Sequence, residues 1–156
     1  MTPVVRVVSG GQTGVDRAAL DVAVAAGVPH GGWCPRGGVA EDLPDGGLLE
    51  RYPSLRETRS AVPAERTRLN VRDSDATLVV RAPGVTSPGT DLTVATAREL
   101  GRPCLVTDGS DVEAVRAWLL GLGDDVVLNV AGPRESGQPG AYDVARALVE
   151  GVLCEQ

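Results

Sequence analysis

Residues 3–27 read PVVRVVSGGQTGVDRAALDVAVAAG, a strand, a glycine loop and a helix joined without a gap. The β-branched run over 3–9 predicts a central strand. The loop 10–14 follows at once. Val15, Ala18, Ala19, Val22, Ala23 and Ala26 then recur at helical spacing, an apolar face of small residues that lets a helix lie close to a sheet. Gly27 reads as the stop. A strand that feeds a helix through glycines is the opening unit of a parallel α/β sheet.

The rest of the chain repeats that alternation. A short strand is expected over 31–34, and residues 35–59 turn to Gly, Pro and charge without periodicity, a loop of a length that is usually functional. PAERTRLNVRD (63–73) predicts a polar helix with Pro63 in its first turn. Strands follow over 76–81, 103–107 and 125–130, and helices over 90–100, 110–122 and 142–153. Ser110 and Glu113 stand at capping-box spacing. There is no internal repeat and no linker. The expectation is one α/β domain, a Rossmann-like parallel sheet flanked by helices with right-handed crossovers.

Composition narrows the function. The 156 residues include two Trp, two Tyr and no Phe, so the core is Val, Leu and Ala, which suits strands buried on both faces. A net charge of −6 argues against nucleic acid or an anionic membrane as partner. Every cationic side chain is Arg. The absence of Lys excludes a Walker-type phosphate lysine and a Schiff base, while the Arg fork suits phosphate. Cys34, Cys104 and Cys154 are odd in number and far apart, which reads as reduced and intracellular. With His30 the single histidine, a His-rich zinc site or a Ser-His-Asp triad is nearly excluded. No signal peptide or membrane-length apolar run is present, so a cytoplasmic protein is expected.

Ligands of such sheets sit at the carboxyl ends of strands, and the polar clusters lie in those loops. The first is Gly10, Gly11, Gln12, Thr13 and Gly14 with Arg17: glycines admit an anion to backbone N–H groups at a helix start. Thr13 and Asp16 also have capping-box spacing, the plainer reading of that pair. The second holds Arg36 and Gly37, suited to an anion, with Glu41 and Asp42 as partners for ribose hydroxyls, pterin N–H groups or a metal. In the third, Arg66, Asn70 and Asp73 share one helix face, which solvent exposure explains equally well. Gly89 and Thr90 form the fourth, with Thr90 as ligand contact or N-cap. The last places Asn129, Gly132, Arg134, Glu135 and Ser136 after the final strand.

The segments SGGQTGVDRAALDVA (9–23), GGWCPRGGVAED (31–42), RTRLNVRDSDATLVV (66–80), PGTDLT (88–93) and LNVAGPRES (128–136) together resemble the molybdenum carrier family, a circularly permuted YpsA-like branch of the SLOG superfamily. The resemblance spans nearly the whole chain. It implies a Rossmann-like fold, homo-oligomerisation and a pocket for molybdenum cofactor, a pterin bearing a phosphate, carried as ligand. On that reading the phosphate sits on residues 10–14, steadied by Arg17 or Arg134, and Glu41, Asp42 or Asn70 reads the pterin edge. The same superfamily is associated with nucleotide-derived ligands and includes phosphoribohydrolases of the Lonely-guy type. Their motif ends in a catalytic Glu where this chain has Thr93, which removes the expected acid/base group. A binding protein is therefore the leading expectation. A nucleotide sensor is the alternative, as is a nucleotide-cleaving enzyme using Asp91, Glu41 or Glu135.

Overall fold

β1 (Val4–Val8) leads through the glycine loop into α1 (Val15–Ala26), as the opening stretch requires. Gly27 ends α1 in the left-handed region, φ 69°, its N–H donating to the Ala23 and Val24 carbonyls. The computed structural model describes residues 2–154. The remaining elements are β2 (His30–Cys34), α2 (Leu48–Arg51), β3 (Leu55–Glu57), α3 (Pro63–Arg72), β4 (Ala76–Val80), α4 (Pro88–Glu99), β5 (Cys104–Thr107), α5 (Val112–Leu122), β6 (Val126–Ala131) and α6 (Ala141–Leu153). All strand pairs are parallel, in the order β3-β2-β1-β6-β4-β5. The protein is a single Rossmann-like α/β domain, as the alternation predicts.

The small residues of α1 do what their size allows. Ala18, Ala19 and Ala23 are fully buried with Ala141 and Ala145 of α6, so the two helices pack closely above β1 and β6. Val7, Leu78, Leu128 and Val130 complete this core from the sheet. Each such fully buried Val or Leu contributes roughly 1.5–3 kcal/mol. α1, α6 and α5 pack in series, and α3 and α4 pack against each other. Coverage is uneven as a result. Val5 is 42% exposed and Arg6 is exposed, so β1 is not buried on both faces along its length.

Three boundaries differ from the sequence reading. The stretch 35–59 is not structureless: it holds α2 and β3 over a second apolar cluster of Leu20, Cys34, Leu48, Tyr52 and Leu55. Elements of four and three residues are too short to register as a period. α4 begins at Pro88, two residues early, because Pro fits a first turn whose N–H has no partner anyway. α5 is capped by Asp111, whose Oδ1 accepts the Ala114 N–H at 3.0 Å; Ser110 bonds Asp108 instead.

Candidate functional site

The carboxyl ends of three adjacent strands, β1, β6 and β4, open into a cleft of about 560 Å³, within the range of small-molecule sites. Gln12 and Asp16 line it from the segment after β1, Gly132 and Arg134 from the loop after β6. Ser87, Gly89 and Thr90 line it from the start of α4, and Pro63, Arg66 and Thr67 from the start of α3. The first turn of α4 has no side-chain cap. Its N-cap residue is Ser87, whose hydroxyl pairs with that of Thr90 at 2.6 Å, so Thr90 is the third helical residue and not the cap. An uncapped helix N-terminus carries a partial positive charge and free N–H donors. Arg66 and Arg134 stand on neighbouring walls, so positive charge gathers at this end of the cleft.

Asp16 is the acidic counterpart. It is 3% exposed and meets Arg66 Nη1 through Oδ2 at 3.3 Å, while Oδ1 has no hydrogen-bond partner. Burial pushes its pKa from the ordinary 3.8 up to about 6, against the pull of Arg66, the backbone N–H groups of Gln12 and Gly132, and Arg17. The Nε of Arg66 is likewise buried without a partner. Both unpaired atoms thus belong to one ion pair in the cleft wall. The capping-box spacing of Thr13 and Asp16 is not used. In the structure the N-cap of α1 is Gly14 and no side chain caps the helix.

The glycine loop itself is roofed. The Val15 N–H donates to the Pro133 carbonyl at 3.4 Å, and the Glu135 N–H donates to Thr13 Oγ1 at 3.1 Å. A Cβ on Gly14 would stand 2.4 Å from the Pro133 oxygen, and one on Gly10 would stand 2.1 Å from Arg66 Nη1. These glycines admit other parts of the protein. Residues 133–135 close over the start of α1, while the first turns of α3 and α4, neither with a side-chain cap, both line the cleft.

The remaining residues singled out from the sequence brace the loops around the cleft. Arg17 donates two bonds of 2.8 Å to the Asp42 carboxylate and a third, from Nε, to the Gly11 carbonyl at 3.1 Å. Asp42 is held below its usual pKa by that guanidinium, and the pair ties the glycine loop to the segment after β2. Glu41 accepts the Thr13 hydroxyl, and the Ser136 hydroxyl and N–H at 2.5 and 3.2 Å. Partial burial works to raise its pKa, yet the Ser136 and Thr13 bonds and nearby Arg134 keep it below the ordinary value. Gln12 joins the same brace, its Oε1 accepting from the N–H groups of Thr13 and Glu41. Glu135 accepts the Gly140 and Tyr142 N–H groups at 2.6 and 2.9 Å, serving the start of α6. Glu135→Ala is expected to cost about 1 kcal/mol in a urea melt, the worth of a helix cap; an unchanged midpoint would contradict that role.

Asn70 is 3% exposed and clamps the Trp33 backbone, accepting its N–H at 2.7 Å and donating to its carbonyl at 3.0 Å. Of that face of α3, Arg66 and Asn70 turn to the cleft and β2, while Asp73, just past the helix, is exposed and accepts from Trp33 Nε1 at 2.8 Å. Asn129 lies inside the sheet and donates to Thr77 Oγ1 at 3.3 Å. Arg36 is exposed and reaches only the Arg59 carbonyl at 3.5 Å, while the Gly37 N–H donates to Glu57. Asp91 pairs with Arg81 at 2.6 Å outside the cleft. Of the sequence candidates, Gln12, Arg66, Gly89, Thr90, Gly132 and Arg134 share the main cleft, and Gly10 lines a smaller cavity beside it. Asp16, Ser87 and Pro63 were missed. A buried carboxylate one residue inside a helix leaves no mark in the chain that separates it from a capping one.

The fold matches a crystal structure from Syntrophus aciditrophicus SB, provisionally named a molybdenum carrier protein, with a TM-score of 0.88 and 36% identity. That match covers 97% of this chain and 96% of the other. No curated protein matches the sequence. Residues 7–153 match the model of the circularly permutated YpsA SLOG family. With the parallel sheet, the cleft at its carboxyl edge and these likenesses together, the chain belongs to the circularly permutated YpsA SLOG family.

Proposed function

We propose that the protein is a carrier that binds a phosphate-bearing small molecule in the 560 Å³ cleft, and that its cargo is molybdenum cofactor. One observation carries the reading: the uncapped N-terminus of α4 opens into a cleft that Arg66 and Arg134 also line. The phosphate rests on the first turn of α4, where N–H donors and the helix dipole act together, and Arg134 closes the ion pair from the rim. The name of the Syntrophus protein supports the choice of cargo. Among the described residues no group of three or more His, Cys, Asp or Glu is placed to hold a metal ion. The protein's own donors therefore hold the organic part of the cargo. Cys34, the soft sulfur nearest in sequence to the site, is buried in the second apolar cluster.

A nucleotide-cleaving reading has one observation in its favour. Asp16 is a cleft carboxylate whose pKa of about 6 suits proton transfer near neutrality. Glu41 and Glu135 do not serve that reading, being bound into the braces described above. Native mass spectrometry of protein purified gently from its host separates the two: a bound pterin phosphate with molybdenum supports the carrier, and release of free base from nucleoside monophosphates overturns it. Calorimetric titration with a phosphorylated pterin tests the phosphate seat. Arg134→Ala is expected to weaken binding about tenfold, one charge-assisted contact, and Arg36→Ala to leave it unchanged. Equal losses in both variants would move the phosphate away from α4.

No helix among the described residues is long and apolar enough to cross a membrane. We further propose a cytoplasmic homo-oligomer that delivers its cargo without contacting nucleic acid.

A further inference from the structure

A second cavity of about 290 Å³ adjoins the cleft and shares Gln12, Pro63 and Arg66 with it. Its other walls are Gly10, Pro35, Val39, Ala40, Pro44 and Ala61. Apart from the Gln12 and Arg66 side chains, that lining is apolar, made of proline rings and short aliphatic groups. Such a lining offers a phosphate nothing and a flat apolar ring a great deal. Arg66 lies along the boundary, its guanidinium resting where a Cβ on Gly10 would be. The ion pair with Asp16 holds it there. Arg66 Nε is buried and unpartnered, an available donor, and Oδ1 of the 3% exposed Asp16 is an available acceptor in the adjoining cleft.

We propose that this second cavity is the ring subsite of the ligand: a planar nitrogen heterocycle lies in the apolar slot while its phosphate reaches the first turn of α4. The proposal rests on the phosphate reading of the cleft given above. It adds where the ring of such a ligand lies: beside Arg66 in the second cavity, joined through a short linker to the phosphate at α4. Pterins and purines share that chemistry. Arg66 is the hinge between the two subsites, flat enough to stack on a ring face and able to donate to a ring acceptor. Asp16, which lines the cleft and not the slot, acts through Arg66 as a positioning residue.

The test compares ribose 5-phosphate, which lacks a ring, with AMP, GMP and a phosphorylated pterin, each titrated calorimetrically into the wild-type protein. The ring-bearing probe that fits best is expected to bind at least tenfold tighter than ribose 5-phosphate, and the order among the three tells purine from pterin. Ala61→Trp, at an exposed wall position, fills the slot. It is expected to bring that probe down to the affinity of ribose 5-phosphate while leaving ribose 5-phosphate itself unchanged. Pro44→Trp does the same from another exposed wall position and serves if Ala61→Trp melts early. Equal wild-type affinity for ribose 5-phosphate and every ring-bearing probe overturns the ring subsite alone. So does a tryptophan variant that weakens all probes alike. Failure of all four probes to bind overturns the phosphate reading and this proposal with it.

Discussion

Asp16→Asn is expected to make the unliganded protein more stable at neutral pH, not less. The carboxylate is buried and only partly compensated, and its pKa of about 6 exceeds the 3.8 of an unfolded aspartate. The folded state therefore binds the proton more tightly. Its linked contribution is fully present below pH 3.8 and is lost as the pH rises through 6. At about 1.4 kcal/mol per unit, a shift of roughly two units sets an upper bound on the order of 3 kcal/mol for the stability lost by neutral pH. Asparagine keeps the shape of the neutral acid and never ionises, so it recovers much of that amount above pH 6 and almost none below pH 4.

Urea melts of the two proteins between pH 4 and 8 check this. Their difference is expected to grow between about 4 and 6 and then level off. Differencing removes the opposite trend of carboxylates such as Asp42 and Asp73, whose lowered values act at more acidic pH. A variant less stable than wild type at pH 7.5 would mean that the Arg66 pair outweighs the burial, contrary to the expectation. The same variant is expected to bind the phosphorylated pterin at least tenfold more weakly, since Arg66 loses its anchor. A group that lowers stability while holding a cleft residue in place is the usual compromise between stability and function.

Gly14→Ala is expected to be the most damaging single methyl in the cleft region. Gly14 has φ 79°, and its added Cβ would stand 2.4 Å from the Pro133 oxygen, 2.8 Å from the Glu135 nitrogen and 2.9 Å from the Arg134 carbonyl carbon. All three are backbone atoms, so no rotamer change relieves the contact. With ψ at −129° the backbone there is open essentially to Gly alone, which costs an alanine roughly 1–3 kcal/mol, and moving the 133–135 segment off α1 adds overpacking strain of about 1–3 kcal/mol. A loss of about 3–4 kcal/mol is expected, with the position of Arg134 disturbed and ligand affinity lowered too. Gly89→Ala is the control. Its Cβ would meet nothing within 4 Å, and its φ is not in the left-handed region, so its stability is expected to stay within about 0.5 kcal/mol of wild type. Equal melting curves for the two variants would refute this division of the glycines.

That contrast shows how far the chain could be read in advance. Gly10, Gly14 and Gly89 look alike in sequence, each between a strand and a helix. In space Gly10 makes room for a guanidinium, Gly14 for a crossing backbone, and Gly89 opens an uncapped helix onto the cleft. Likewise Arg17, Arg36, Arg66 and Arg134 are four loop or helix-start arginines of equal promise. Asp42 engages the first, the second is exposed on its loop, and the last two line the cleft. Which partner an arginine meets depends on segments 25–50 residues away, and no local pattern encodes that distance.

The sequence by itself determined the alternation of strands and helices, the parallel sheet, the close contact of an alanine-faced helix, and the gathering of polar loops at the carboxyl edge of the strands. Those follow from periodicity, residue size and chain direction, which are local or topological properties. Only the tertiary structure decided which helix N-termini line the cleft, that residues 133–135 roof the first glycine loop, and that Asp16 lies buried beside Arg66. It also decided that two short elements organise residues 35–59. The physical reason is common to all four. Each depends on which backbone or side chain excludes water from a given polar group, and that is settled by packing between distant segments rather than by the residues on either side.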